Sequence, residues 1–223
     1  MPVFFNDDTR ILFIHIPKTG GTFITEAFRK NGFSVAYEEF ATSKGKLNEV
    51  RKCSPQHMHR DMLRSIFDLN KFDFIFMTVR NPLNRLISEF RWRNENEPVD
   101  VNEWIASRYH EYSQNPFILD NHLRPQYEFF VEEAKFYRQD DKFDSQWSET
   151  FYKDSGIELD LSLVKPKIRV SESKLSGSDV LNKMNKESLK TITEWYYRDF
   201  VDFNYPFPLK PPLSVYLKNN FGI

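Results

Sequence analysis

The sequence predicts an α/β fold, with a central parallel sheet flanked by helices. Three observations carry this reading. Apolar runs of strand length alternate with stretches of helical periodicity along the chain. The two best runs, residues 11–16 and 72–79, are almost continuously apolar, as strands covered on both faces are. Each is followed at once by a helical stripe, the arrangement in which a strand feeds a crossover helix.

Each element has its own warrant. Ile11-Leu12-Phe13-Ile14-His15-Ile16 is the first buried strand. After a short loop, Phe23, Ile24, Ala27 and Phe28 recur at helical spacing until Gly32 ends the pattern. Residues 33–37 read as a short strand and 48–52 as a helical piece, which Pro55 and its neighbours break. Met62, Leu63, Ile66 and Phe67 mark another helix before the strand at 72–79. Arg80-Asn81-Pro82 ends that strand, and Leu83, Leu86, Ile87 and Phe90 form a stripe behind a proline suited to a helix start. From about 94 to 144 the chain is richer in Asn, Glu, Tyr and Trp, with helical hints at 101–112 and 126–134. This stretch reads as a substrate-facing insertion within one domain spanning 1–223. A strand at 135–138, a helix at 147–154, a short strand or loop at 167–172 and a long amphipathic helix at 187–203 follow. Four prolines between 206 and 212 leave an irregular tail.

Composition removes several classes. The 223 residues include 22 Phe and 40% hydrophobic residues, which excludes a disordered chain. One cysteine, Cys53, excludes an internal disulfide framework and a cysteine-based zinc cluster. Lys and Arg (31) balance Asp and Glu (32), so no wholesale nucleic-acid binder is expected and any anion site is local. No window approaches a membrane span of about 18 apolar residues. Met1–Arg10 lacks the basic start and apolar stretch of a signal peptide, and no Asn-x-Ser/Thr sequon occurs. The expectation is a cytoplasmic protein with no transmembrane segment.

Two clusters bear chemistry. In Ile14-His15-Ile16-Pro17-Lys18-Thr19-Gly20-Gly21-Thr22, a strand runs through a glycine-containing loop into a helix. Such a loop offers free backbone N–H groups at a helix N-terminus, an environment for phosphate or sulfate. Lys18 adds a charge, Thr19 and Thr22 add hydroxyls, and adjacent Gly20 and Gly21 imply a close approach to the backbone. The competing reading is a plain connection with an exposed lysine. The order differs from the nucleotide-triphosphatase loop, where Lys follows the second Gly. In the second cluster, Val79-Arg80-Asn81-Pro82 leads to Arg85 and Ser88. It puts Arg80 at the carboxyl end of a strand, where open α/β sheets place ligands. Arginine suits a bidentate grip on phosphate. Arg91 and Arg93 fit a solvated basic face equally well.

Together these clusters resemble the two nucleotide-binding signatures of the sulfotransferases, most closely the branch of heparan-sulfate 2-O- and 6-O-sulfotransferases and their bacterial relatives. The resemblance implies a P-loop-like sulfotransferase fold and the donor 3′-phosphoadenosine 5′-phosphosulfate (PAPS). It implies that Lys18, Thr19, Gly20, Gly21 and Thr22 hold the 5′-phosphosulfate and that Arg80 and Ser88 hold the 3′-phosphate. Weaker echoes are Asn121-His122-Leu123-Arg124-Pro125-Gln126, the segment around Tyr196–Tyr205, and a cofactor-covering loop at 170–174.

Sulfuryl transfer needs stabilisation of the leaving phosphate, a role for Lys18, and a base for the acceptor hydroxyl, for which histidine is suited. The five histidines are His15, His57, His59, His110 and His122. His57 and His59 form a His-x-His pair resembling a catalytic pair of the 2-O-sulfotransferases. His57 is the first choice as base and His59 the second, with His15 a third candidate. Two histidines without a carboxylate or cysteine partner make a poor metal site, so no metal is expected. The expected function is transfer of a sulfuryl group from PAPS to a carbohydrate hydroxyl. The rivals are a P-loop kinase-like enzyme and a non-catalytic nucleotide or sulfated-glycan binding domain. The sequence names neither the acceptor nor the oligomeric state.

Overall fold

The computed structural model describes residues 1–38, 51–95, 98–141, 143–165 and 175–221. The chain groups into two compact units. The first comprises Met1–Arg80, Leu119–His122 and Glu128–Val170; the second comprises Asn81–Ile118, Leu123–Tyr127 and Ser171–Ile223. The stretch expected as an insertion at 94–144 is thus shared, its first part grouping with the C-terminal helices and its last part with the sheet.

The first unit is built on a five-stranded sheet: β1 (Val3–Phe5), β2 (Arg10–Ile14), β3 (Ser34–Ala36), β4 (Phe74–Val79) and β5 (Lys135–Arg138), in the order β3-β1-β2-β4-β5. The α/β architecture is as expected, but the sheet is mixed rather than parallel. β2, β4 and β5 are parallel neighbours, whereas β1 runs antiparallel to both β2 and β3. The cause is the tight return at residues 6–9, where Asn6 Oδ1 accepts from the Asp8 and Thr9 amides. A turn this short joins only antiparallel strands.

Helices α1 (Gly21–Lys30), α2 (Arg60–Ile66) and α5 (Ser145–Ser155) also belong to this unit. Much of the phenylalanine excess goes into its core. Phe4, Phe13, Phe28, Phe76 and Phe151 are fully buried, and their rings form a connected stack, with Phe4–Phe28 centroids 4.0 Å apart and Phe13–Phe76 4.8 Å apart. Each such side chain contributes about 1.5–3 kcal/mol on burial, so this stack anchors the strands whose ends carry the site.

The second unit is helical: α3 (Pro82–Arg93), α4 (Val101–Gln114), α6 (Gly177–Lys183), α7 (Lys186–Trp195), α8 (Tyr197–Asp202) and α9 (Leu213–Phe221). Pro82 opens α3, and the Asn81 side chain accepts from the Leu83 and Asn84 amides, an N-cap that starts the helix directly after β4. The helix expected at 187–203 is broken at Tyr196, the junction between α7 and α8. Residues 126–134, expected as a helix, hold only a short 3-10 turn at Gln126–Glu128. Its Gln126 and Tyr127 amides donate to the buried Asp199 carboxylate at 2.8 and 2.9 Å rather than along a helix. Burial raises Asp199 to about 6 against the pull of those hydrogen bonds and of Arg85. α6 had no counterpart in the sequence reading, and the tail expected to be irregular contains α9. The expected helical piece at 48–52 lies partly outside the described residues, and the segments 167–172 and 170–174 lie wholly outside them.

Candidate active site

β2 and β4 run side by side in the same direction, with Ile14 opposite Met77. The segments leaving them therefore emerge at one carboxyl edge of the sheet, the ligand-binding edge of open α/β folds. The segment after β2 turns through two left-handed residues, Lys18 (φ 67°) and Gly20 (φ 89°), into α1. Its buried Thr19 staples the two strands: Thr19 Oγ1 donates to the Ile16 carbonyl at 2.8 Å and lies 2.9 Å from Thr78 Oγ1. The first amides to bond within α1 are those of Phe23 and Ile24, both to the Gly20 carbonyl. The amides of Gly21 and Thr22 precede them, as the first N–H groups of a helix do. No acidic residue lies in the first turn of α1. Arg80, immediately after β4, donates from Nη1 to the Lys18 carbonyl at 3.3 Å. Lysine, arginine and a helix N-terminus thus meet at this edge, a donor set suited to an anion.

The glycine pair has a specific reason. A Cβ on Gly21 would stand 2.0 Å from His15 Nε2 and 2.1 Å from its Cδ2. A Cβ on Gly20 would stand 2.5 Å from the Phe143 ring, at a φ that disfavours side chains in any case. The close approaches that the sequence implied are made by side chains of this same chain, and one of them is an imidazole.

That imidazole belongs to a cluster. His57 is 5% exposed and ends a 3-10 turn, Pro55–His57. Its Nδ1 lies 2.8 Å from Asp120 Oδ2. The same carboxylate accepts from the Ser54 amide at 2.6 Å and the Ser54 hydroxyl at 2.7 Å, and Asn121 Nδ2 donates to the His57 carbonyl at 2.8 Å. Four hydrogen bonds therefore clamp segment 54–57 to segment 120–121. The His15 and His122 rings each stand 5.0 Å from that of His57. Burial holds His57 down at about 4, with neighbouring His122 acting in the same direction and the Asp120 hydrogen bond opposing. His15 is held well below the usual histidine range by burial, aided by His57. Burial pushes Asp120 upward, but its hydrogen bonds with His57 and Ser54 outweigh this and bring it to about 2. At neutral pH the pair is a carboxylate and a neutral imidazole. Nδ1–H donates to Asp120, and Nε2 carries the lone pair.

The candidate histidines separate in space. His15, His57 and His122 come together, whereas His59 starts α2 and pairs with the exposed Asp61 at 3.9 Å. His110 is exposed on α4, and Ser88 is half-buried on α3, both in the second unit. Trp104, Tyr109, Tyr112 and Trp147 are buried core residues. Arg91 donates to the Leu175 carbonyl at 2.7 Å, and Arg93 pairs with Glu89. Asp120 is the member of this cluster that sequence reasoning missed. The available signal was Asp120-Asn121, two residues of the types that tolerate left-handed backbone, directly before His122. The reason given for expecting no metal also changes: His57 has a carboxylate partner, and ligand atoms of His57, Asp120 and His122 lie within 4.8 Å of one another.

The α/β sheet thus carries, at one edge, a loop of the form that suits an anion, with a buried histidine beside it. The sequence profile of the sulfotransferase family matches residues 1–206, and the chain belongs to that family. Sulfuryl transfer is therefore its class of chemistry. No curated protein and no solved structure matches the chain. Among the described residues, no helix is long and apolar enough to cross a membrane.

Proposed function

We propose that this chain is a PAPS-dependent sulfotransferase acting on a carbohydrate hydroxyl, with His57 as the base. The observation that carries the base assignment is the 2.8 Å contact between Asp120 Oδ2 and His57 Nδ1. A carboxylate on one ring nitrogen fixes the tautomer and leaves the other nitrogen free to accept a proton. His59, by contrast, pairs with the exposed Asp61 at 3.9 Å.

The donor set at the sheet edge fits an anionic nucleotide. Lys18, the Gly20–Thr22 backbone and Arg80 are the residues assigned to hold it. Thr19 contributes through its backbone, since its hydroxyl is engaged with Ile16 and Thr78. Ser88 is assigned to the 3′-phosphate on the sequence resemblance alone. When bound, PAPS supplies the sulfuryl group. Lys18 contributes positive charge where the phosphate side develops negative charge. His57 Nε2 takes the proton from the acceptor hydroxyl, and Asp120 stabilises the imidazolium so formed.

A thermal-shift comparison of 3′-phosphoadenosine 5′-phosphate against Mg²⁺-ADP tests the donor assignment. A ligand at 100 times its Kd adds about 2.7 kcal/mol, several degrees for a chain of this size. A shift with the 3′-phosphorylated nucleotide alone, lost in Lys18→Ala and Arg80→Ala, supports the assignment. A shift with Mg²⁺-ADP alone overturns it.

A further inference from the structure

From the grouping of His15, His57 and His122 around Asp120, we infer that this cluster is a binding site for a divalent transition metal of the zinc type, and that the metal regulates the protein by occupying the nitrogen assigned above as the base. Several observations carry the site. Ligand atoms of His57, Asp120 and His122 already lie within 4.8 Å of one another. The His15 and His122 rings flank His57, each at 5.0 Å. His15 Nδ1 is buried and has no hydrogen-bond partner among the described residues. Its opposite edge, carrying Nε2, packs on Gly21. Asp120 is positioned independently of any ion by the Ser54 amide and hydroxyl.

Imidazole nitrogens form a borderline donor set that favours Zn²⁺, Co²⁺, Ni²⁺ or Cu²⁺ over Mg²⁺ or Ca²⁺. Bonds of about 2.0–2.1 Å place tetrahedral ligands about 3.4 Å apart. The His57–Asp120 hydrogen bond is also the contact that metal-binding histidines make outside the coordination sphere, where it fixes the ring and raises its basicity. A dication gathers imidazole lone pairs without adding protons. The regulatory half of the inference rests on the proposed role of His57; the binding half does not.

The test is a titration of the full chain with Co²⁺, read by its visible ligand-field absorption, followed by displacement with Zn²⁺. One equivalent per chain is expected to give an intense tetrahedral-type band. His57→Gln and His122→Gln are each expected to weaken binding at least tenfold, and Asp120→Asn to weaken it about 10–100-fold, with folding checked by circular dichroism. His110→Gln on exposed α4 serves as the control and keeps the band. A wild-type chain without a Co²⁺ band, or a band that survives both His57→Gln and His122→Gln, overturns the site. This readout needs neither PAPS nor an acceptor, so failure of the sulfotransferase assignment and failure of the metal site are told apart. If transfer is observed and saturating Zn²⁺ leaves it unchanged, the regulatory half is wrong.

Discussion

Replacing Asp120 by Asn asks whether the carboxylate sets the state of His57. The substitution is clean in backbone terms. Asp120 has φ 58°, and Asn is among the few residues that accept left-handed backbone readily, so no strain is added. It changes the hydrogen bonding, because the carboxylate takes three donors: the Ser54 amide at 2.6 Å, the Ser54 hydroxyl at 2.7 Å and His57 Nδ1 at 2.8 Å. A carboxamide has one oxygen and a donating NH₂ group. At least one charge-assisted hydrogen bond is lost, at about 1.5–3 kcal/mol, or roughly 3–12 °C in Tm for 150–250 residues. The larger effect is on the ring. Without an ionised acceptor at Nδ1, the neutral imidazole reverts toward the Nε2–H tautomer and its basic nitrogen is blocked. General base catalysis contributes about 10²–10⁴-fold, and a loss in that range is expected in transfer. Nitrogen-15 NMR of the imidazoles reads the tautomer directly: Nδ1–H for His57 in the wild type, Nε2–H in Asp120→Asn. A wild-type spectrum with His57 as Nε2–H would refute the reasoning, whatever the activity shows.

Three further outcomes follow from the same geometry. Gly21→Ala puts a methyl group onto the His15 ring, whose nearest atom is 2.0 Å from that position; overpacking of this kind costs about 1–3 kcal/mol, and an unchanged denaturation midpoint would contradict the packing described. Thr19→Val removes the bonds to Ile16 and Thr78 and is expected to lower stability by about 1–2 kcal/mol with little loss of nucleotide affinity, whereas Lys18→Ala lowers affinity at least tenfold and leaves the midpoint nearly unchanged; calorimetric titration paired with urea melts separates the two. The pH dependence of stability combines opposing groups. His57 sits at about 4 in the fold against about 6.5 unfolded, so its contribution falls by about 3 kcal/mol as pH drops from 6.5 to 4. Asp199 sits at about 6 against about 3.9 unfolded, so its contribution rises by a comparable amount over nearly the same range. Asp199→Asn therefore steepens the acid-side loss of stability, and urea melts at pH 6.5 and 4.5 that show no steepening would count against the burial-raised state of Asp199.

The sequence made the framework legible wherever a single segment carried the information. The strands at β2 and β4, the loop between β2 and α1, and the placement of Arg80 after β4 are all local patterns of apolar runs and turn residues. The mixed sheet was not legible, because Val3–Phe5 is only three residues long and a strand this short has no periodicity to detect. The division of residues 187–203 at Tyr196 was hidden for the opposite reason: the apolar spacing continues through the break. The histidine pair gives the clearest lesson. His57 and His59 are two residues apart and equivalent as a motif. The 3-10 turn ending at His57 and the cap position of His59 send them to different surroundings. Asp120 lies 63 residues from His57, and a contact of that kind is a property of tertiary structure that spacing does not encode.

Backbone strain and glycine placement converge on the imidazoles. Leu119, Asp120 and Asn121 are consecutive left-handed residues, with φ of 52°, 58° and 64°. Non-glycine residues in this region cost about 1–2 kcal/mol each, with Asp and Asn at the low end and Leu bearing the most. A turn made only to change chain direction has cheaper solutions with glycine. What this turn achieves is to place the Asp120 carboxylate on His57 Nδ1, the Asn121 amide on the His57 carbonyl and the His122 ring 5.0 Å from that of His57. On the other side, Gly21 spends one of only seven glycines on a helix position where any side chain would collide with His15. Two independent segments thus accept local cost so that three histidines and a carboxylate meet beside the loop bearing Lys18. Strain held by surrounding structure in this way marks sites where geometry matters to function. The same clustering explains why one nitrogen serves both proposals: the lone pair that makes His57 a base is the lone pair that a metal would claim.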